Sequence, residues 1–129
     1  MVSLRDRAIF VAAIALPLVP FGASAQQLPT TQAVWTGESG TASYYGNQHQ
    51  GKRTASGMRF DQRLLTAAHA WLPFGSKVRV TVLGTGKSVI VTITDRLYSK
   101  RRVIDLSTAA AQMLEMLRAG LAQVKLEPG

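Results

Sequence analysis

Two acids stand ten positions apart in the stretch VTITDRLYSKRRVIDLS, residues 91–107, of a 129-residue chain that carries 15 basic and only 7 acidic residues. Each of them, Asp95 and Asp105, ends a β-branched, strand-like run. If the fold brings both to one rim, neighbouring like charges push one pKa upward, which equips the pair for general acid–base chemistry. Each acid also has a plainer reading. Asp95 could organise a loop by accepting backbone N–H groups, and Asp105 could be an acid favoured at a helix N-terminus. His69, in TAAH, adds a third titratable group that could orient a carboxylate or contact a ligand, or could be a polar side chain at a strand end. No metal site is expected, because the two histidines, His49 and His69, are 20 positions apart, cysteine is absent and no compact ligand spacing occurs. No cofactor is expected either.

The elements that must position these groups are mostly strands. TASYYG alternates Ala42 and Tyr44 with Ser43 and Tyr45 and is closed by Gly46. NQHQGKRTASG reads as loop. KVRVTVL and SVIVTIT place Val78, Val80, Val82, Val89, Val91 and Ile93 in one phase around a GTGK turn, the clearest hairpin in the chain. STAAAQMLEMLRAG sets Ala110, Met113, Leu114 and Leu117 on one helical face, with Ser107 as N-cap and Gly120 as stop. AQVKLE alternates again and predicts a last half-buried strand. Several short strands and one helix in about 90 residues point to a small closed β-barrel, since an open sheet would leave edges exposed.

Residues 1–25 read as a secretory signal: Arg5 and Arg7 precede an apolar run from Ala8 to Phe21, followed by the small-residue pattern ASA. Residues 26–37 read as a polar linker, and 38–127 as the domain. The expectation is therefore a periplasmic or secreted protein without a stable membrane anchor, unlipidated and unstapled because it has no cysteine. Removing the signal takes away two bases and one acid, so the remainder keeps 13 and 6 and a net charge of +7. Nucleic acid is an unsuitable partner for an exported chain whose bases are scattered outside SKRR, whereas cell-wall polymers suit it.

Taken in order, GTASYYG, GKRTASG, LTAAHAWLPFGSKVRVTVLGTGKSVIVTITDR and VIDLSTAAAQML resemble the rare lipoprotein A family of septal-ring lytic transglycosylases, over roughly residues 38–127. The resemblance implies a six-stranded double-psi β-barrel with one or two short helices. It further implies cleavage of peptidoglycan glycan strands at the MurNAc–GlcNAc bond by the sugar's own 6-hydroxyl, without water as nucleophile. On this footing Asp105, Asp95 and His69 are the candidate catalytic residues, Asp105 as acid and base, with Tyr44, Tyr45 and Arg96 as candidate substrate-binding residues. Peptidoglycan strands are the implied partner, and other cell-wall or divisome proteins are compatible with it. Two departures stand out. Relatives carry a glutamate where this chain has Met58, and a thioether cannot usefully exchange a proton near neutral pH. The family's DRGPF has become DRLYS, one residue shorter before VIDLS. The competing expectation is therefore a catalytically weakened or inactive barrel that binds wall glycan in an expansin-like way.

Overall fold

A computed structural model describes residues 34–129; the expected signal, 1–25, and the first part of the expected linker lie outside the described residues. Six strands, β1 (Glu38–Tyr44), β2 (Thr66–His69), β3 (Lys77–Val82), β4 (Ser88–Arg96), β5 (Ile104–Leu106) and β6 (Ala122–Pro128), close a barrel in the order β1-β5-β2-β4-β3-β6. Among the described residues one α-helix, α1 (Thr108–Met113), and a single 3-10 turn, Asn47–His49, accompany it. The pairs β1–β5 and β2–β4 are parallel and the other four antiparallel, so the fold is the mixed double-psi barrel.

The strand periodicity translates directly into the core. In the β3–β4 hairpin Val78 lies opposite Val91 and Val80 opposite Val89, and all four are buried together with Ile93. The chain reverses between Val82 and Lys87, whose backbone N–H and carbonyl meet at 2.8 Å, and Gly86 takes the left-handed conformation (φ +76°) that the turn requires. On its other edge β3 pairs with β6, bringing Leu126 beside Val80 and Val124 beside Val82. Ala42, Ala67, Ile104 and Leu106 complete the inner face from the three remaining strands. Strand β1 starts three residues earlier than TASYYG indicates. Its first residues find partners in β6, from Glu38 opposite Leu126 to Ala42 opposite Ala122.

The helix is shorter than its apolar spacing predicts. Ser107 caps it as expected, its Oγ accepting from Ala110 N at 3.2 Å. The stop comes at Glu115, not at Gly120: Glu115 adopts φ +57°, and Met116 N donates to Ala111 O (3.0 Å) while Glu115 N donates to Gln112 O (3.0 Å). These two bonds are the Schellman closure of a helix C-terminus. The chain must turn back here to enter β6, so Met113 is mostly exposed while Met116 is buried. Gly120 (φ +79°) closes a second turn, donating to Met116 O at 2.9 Å.

A left-handed non-glycine residue costs roughly 1–2 kcal/mol, and glycine recovers most of that at the expense of a more flexible unfolded chain. Glu115 also makes an exposed ion pair with Lys87 at 3.4 Å, of little energetic weight. Glu115→Gly is therefore expected to raise stability by about 0.5–1 kcal/mol, read from the urea midpoint. A lowered midpoint would show that the Schellman turn is not strained.

Candidate functional site

Strand register brings the two acids into one line. Asp105 on β5 lies beside Ser43 of β1 on one side and beside Ala68 of β2 on the other, and Ala68 in turn lies beside Asp95 of β4. Residues directly opposite one another share a face, so Ser43, Asp105, Ala68 and Asp95 form a row across four adjacent strands, on the outside of the barrel. Simple alternation along β4 contradicts this for Asp95, because Val89, Val91 and Ile93 all point inward and Asp95 is in phase with them. The register slips between Ala67 and Ala68: Ala67 pairs with Ile93 but Ala68 pairs with Asp95, leaving Thr94 as the extra residue. This β-bulge turns the acid from the core to the outer face. The two acidic Cα atoms are then two strand spacings apart, about 10 Å.

Tyr45 joins them. It follows β1 in the same parity as Ser43, and its hydroxyl donates to Asp95 Oδ2 at 3.0 Å. Its ring meets Phe60 edge-on (centroids 4.9 Å apart) and His49 at a tilt (5.0 Å). Burial first, then the Asp95 charge and hydrogen bond, then the Asp105 charge, push the phenol far above the ordinary tyrosine range. Tyr45 is thus a neutral donor that stands in the field of both acids.

Each carboxylate has its own set of donors. Asp95 Oδ1 accepts from Ala55 N and Arg96 N, both at 2.9 Å, and Ser56 N donates to Thr94 O at 3.1 Å, so the loop 52–60 is stitched to the end of β4. These bonds are the loop-organising role that the sequence allowed for Asp95. Asp105 does not serve the helix, whose cap is Ser107. It is 8 % exposed, and its Oδ1 accepts from Ser43 Oγ (2.5 Å) and Arg102 Nε (2.8 Å), its Oδ2 from Arg102 Nη2 (3.2 Å). This two-point grip is the strong geometry for an arginine–carboxylate pair. Arg102, read in the sequence as part of a basic stretch, belongs to the site; its position three residues before Asp105 was the available signal. Ser43 carried no signal beyond strand parity.

His69 is next to Ala68 but does not join the row. Its ring is buried, with edge contacts to Trp71 (5.4 Å) and Trp35 (6.2 Å). Nδ1 accepts from Trp71 N and Leu72 N, both at 3.2 Å, so the ring proton sits on Nε2 and is donated to Glu38 Oε2 at 2.8 Å. The histidine anchors the turn after β2. Glu38 as its partner was not foreseen, because nothing in the sequence ties the start of β1 to the end of β2.

The two other candidate binding residues also have internal partners. Tyr44, of opposite parity to Tyr45, packs against the core and donates its hydroxyl to Leu117 O at 2.9 Å. Only one residue of a YY pair can line the outer face of a strand. The Arg96 guanidinium lies 3.9 Å over the Phe74 ring and reaches His69 O at 3.3 Å, bracing the segment between β2 and β3. Met58, 54 % exposed, sits in the stitched loop, its carbonyl accepting from Thr54 N and Oγ1. A separate cleft of about 390 Å³ is lined by Asn47, Gln62, Arg63, Thr108, Ala109 and Gln112. Neither acid of the row lines it.

The raised Tyr45 pKa has a signed consequence. An unfolded tyrosine ionises near its ordinary value of 10.0, whereas folded Tyr45 keeps its proton, so its contribution to stability is complete below pH 10 and is lost as the pH climbs past it. Urea unfolding followed through the alkaline range should show a steeper loss for the natural chain than for Tyr45→Phe. Parallel slopes would mean that the phenol is not held by the acids.

Residues 37–126 match the lytic transglycolase family of double-psi β-barrels. The chain is 45 % identical over 100 residues to the endolytic peptidoglycan transglycosylase RlpA of Neisseria meningitidis, an alignment covering 77 % of this chain and 42 % of that one. It is 53 % identical over 90 residues to the RlpA of Pseudomonas aeruginosa, covering 68 % and 26 %. The chain thus spans less than half the length of these curated relatives. Among solved structures, an expansin from Clavibacter michiganensis superimposes with a TM-score of 0.57 at 22 % identity, over 72 % of this chain and 50 % of the expansin, a likeness of fold. With His69 and Asp95 standing in TAAH and TDR at the ends of adjacent strands and the family match reaching all six strands of the barrel, the chain belongs to the lytic transglycolase family.

Proposed function

We propose that the protein acts outside the cytoplasm as a lytic transglycosylase on peptidoglycan, breaking the β-1,4 bond between MurNAc and GlcNAc. The observation that carries this reading is the row itself, two acids whose Cα atoms stand about 10 Å apart on one outer face, one of them bonded by a neutral phenol, in a barrel similar to enzymes of that name. Asp95 handles the proton in place of Asp105, the acid and base expected from the sequence, because both Asp105 oxygens are already taken by Arg102 and Ser43. It protonates the leaving glycosidic oxygen as the C1–O bond breaks, then takes the proton from the 6-hydroxyl, whose oxygen closes on C1 to give a 1,6-anhydro ring. Tyr45 positions it by holding Oδ2. Asp105, both of whose oxygens already accept from Arg102 and Ser43, supplies negative charge toward the oxocarbenium-like centre. His69 acts as a positioning residue, fixing the end of β2 between the two acids.

A second reading rests on one observation. The loop stitched to Asp95 carries Met58, an exposed thioether, at the position where the family pattern has a glutamate, so a barrel that binds glycan without cutting it fits this residue. The two readings part on the products. Incubated with glycan strands, the protein is expected to release fragments with 1,6-anhydroMurNAc ends, detected by mass spectrometry, and Asp95→Asn to lower their yield by roughly 100-fold or more. Met58→Glu is expected to raise the yield. Retained pelleting on sacculi with no anhydro ends in either form would select the binder.

A further inference from the structure

The cleft of about 390 Å³ takes no part in the proposed chemistry, yet three carboxamides line it, Asn47, Gln62 and Gln112, together with Thr108, Ala109 and Arg63. Gln62, Thr108 and Ala109 are half-buried and form its floor, while Asn47, Gln112 and Arg63 are exposed and form its rim. The floor is fixed by hydrogen bonds. Gln62 N donates to Gln50 Oε1 (2.7 Å), Ala109 N donates to Gln62 O (2.9 Å), and the Thr108 hydroxyl donates to Tyr45 O (3.0 Å) with Gln62 Oε1 at 3.4 Å. At the rim, among the described residues, the side-chain amides of Asn47 and Gln112 have no hydrogen-bond partner.

This lining favours a neutral ligand. The charged side chain at the rim, Arg63, is compensated by Asp61, which it grips through Nε and Nη2, both at 3.0 Å. The backbone N–H groups nearby are also used, Ala109 N on Gln62 O and Ala110 N on Ser107 Oγ, so an anion finds little here. A carboxamide carries both an acceptor oxygen and N–H donors, the two-point complement of a secondary amide, which has one of each. The Ala109 methyl adds an apolar contact at the floor. The volume lies near the lower end of the range for small-ligand sites, roughly 300–1,000 Å³, which suits a single sugar unit. Asn47 is two residues from Tyr45 and Thr108 three from Asp105, so at roughly 3.5 Å per extended residue the cleft stands within about 7–11 Å of the row's backbone. A polymer lying along the row comes within reach of it.

Resting on the reading of the chain as a glycan-directed wall protein, we infer that this cleft is a subsite for the acetamido group of a wall amino sugar, with Asn47 and Gln112 exchanging hydrogen bonds with its N–H and carbonyl and Ala109 meeting its methyl. The natural chain should bind a tetramer of β-1,4-linked N-acetylglucosamine roughly tenfold more tightly than a tetramer of β-1,4-linked glucose, a factor that one or two net hydrogen bonds supply. In proton–nitrogen NMR spectra the side-chain amide signals of Asn47 and Gln112 should move with the first tetramer and stay with the second. Asn47→Ala with Gln112→Ala should bring the two affinities together. Ala109→Leu, which fills the floor, should do the same, with urea unfolding showing that each variant is folded. Equal affinity of the natural chain for both tetramers, amide signals that stay in place while the amino sugar binds, or a gap that survives in the folded double variant would each overturn the inference and leave the wall-glycan reading standing. A free stem peptide that moves the same amide signals more than the amino-sugar tetramer does would assign the cleft to peptide amides and overturn it as well. Binding to sacculi but to neither tetramer would overturn the inference alone, and binding to none of the three would overturn the wall-protein reading along with it.

Discussion

The slip of one residue at Thr94 is the constraint on which the outer face of the barrel depends. Side chains alternate with a period of two, so a strand that buries Val89, Val91 and Ile93 must bury the next residue in phase unless its register changes. An ionised carboxylate beside Ile93 would meet a penalty of several kcal/mol with no cation to offset it. The bulge removes the conflict, and it cannot drift, because β2 is held by β4 on one edge and by β5 on the other. Ala68 is the common neighbour of both acids. Its methyl group is fully buried between them, and a larger side chain there would push the two carboxylates apart.

Around that row, structure and site share the same atoms. Asp95 ties a loop to a strand end and at the same time presents Oδ2 to Tyr45. Asp105 joins β1 through Ser43 and secures the loop before β5 through Arg102. Such groups are pre-organised, since their rotamers are fixed by hydrogen bonds before any ligand arrives, and little reorganisation remains for a bound sugar to drive. The His69–Glu38 pair does the same for the turn after β2, where two backbone N–H groups would otherwise be buried without acceptors at a cost of about 1–3 kcal/mol each. The strand bearing Asp105, β5, is only three residues long, and these polar ties hold what three ladder positions could not.

Much of the barrel was legible in the sequence because its longer strands obey one period. The β3–β4 hairpin and β6 place valines, isoleucine and leucine on the core face as alternation predicts. Legibility stopped where a local pattern was overridden. The apolar spacing of Met113 to Leu117 read as a continuing helix, but the path into β6 imposed a left-handed Glu115. Alternation in β4 gave no warning of the bulge, which exists only as a relation between two strands. Of the candidate site residues, Asp95, Asp105 and Tyr45 converge, whereas Tyr44 faces the core and His69 and Arg96 brace the segment after β2. The grip of Arg102 on Asp105 was hidden in a run that reads as a solvated basic loop.

The balance of charge follows from these contacts. The described residues contain six acids, and every one is engaged: Asp95 and Asp105 in the row, Glu38 on His69, Asp61 on Arg63, Glu115 on Lys87 and Glu127 on Lys125. The net positive charge is therefore not an even coating, because the acids neutralise cations next to strand ends and helix turns and leave others alone. Lys52, Arg53, Arg59, Lys100 and Arg101 are among the cations left without an acid partner, and they stand on the two loops tied to Asp95 and to Asp105, so positive charge borders the row at both carboxylates.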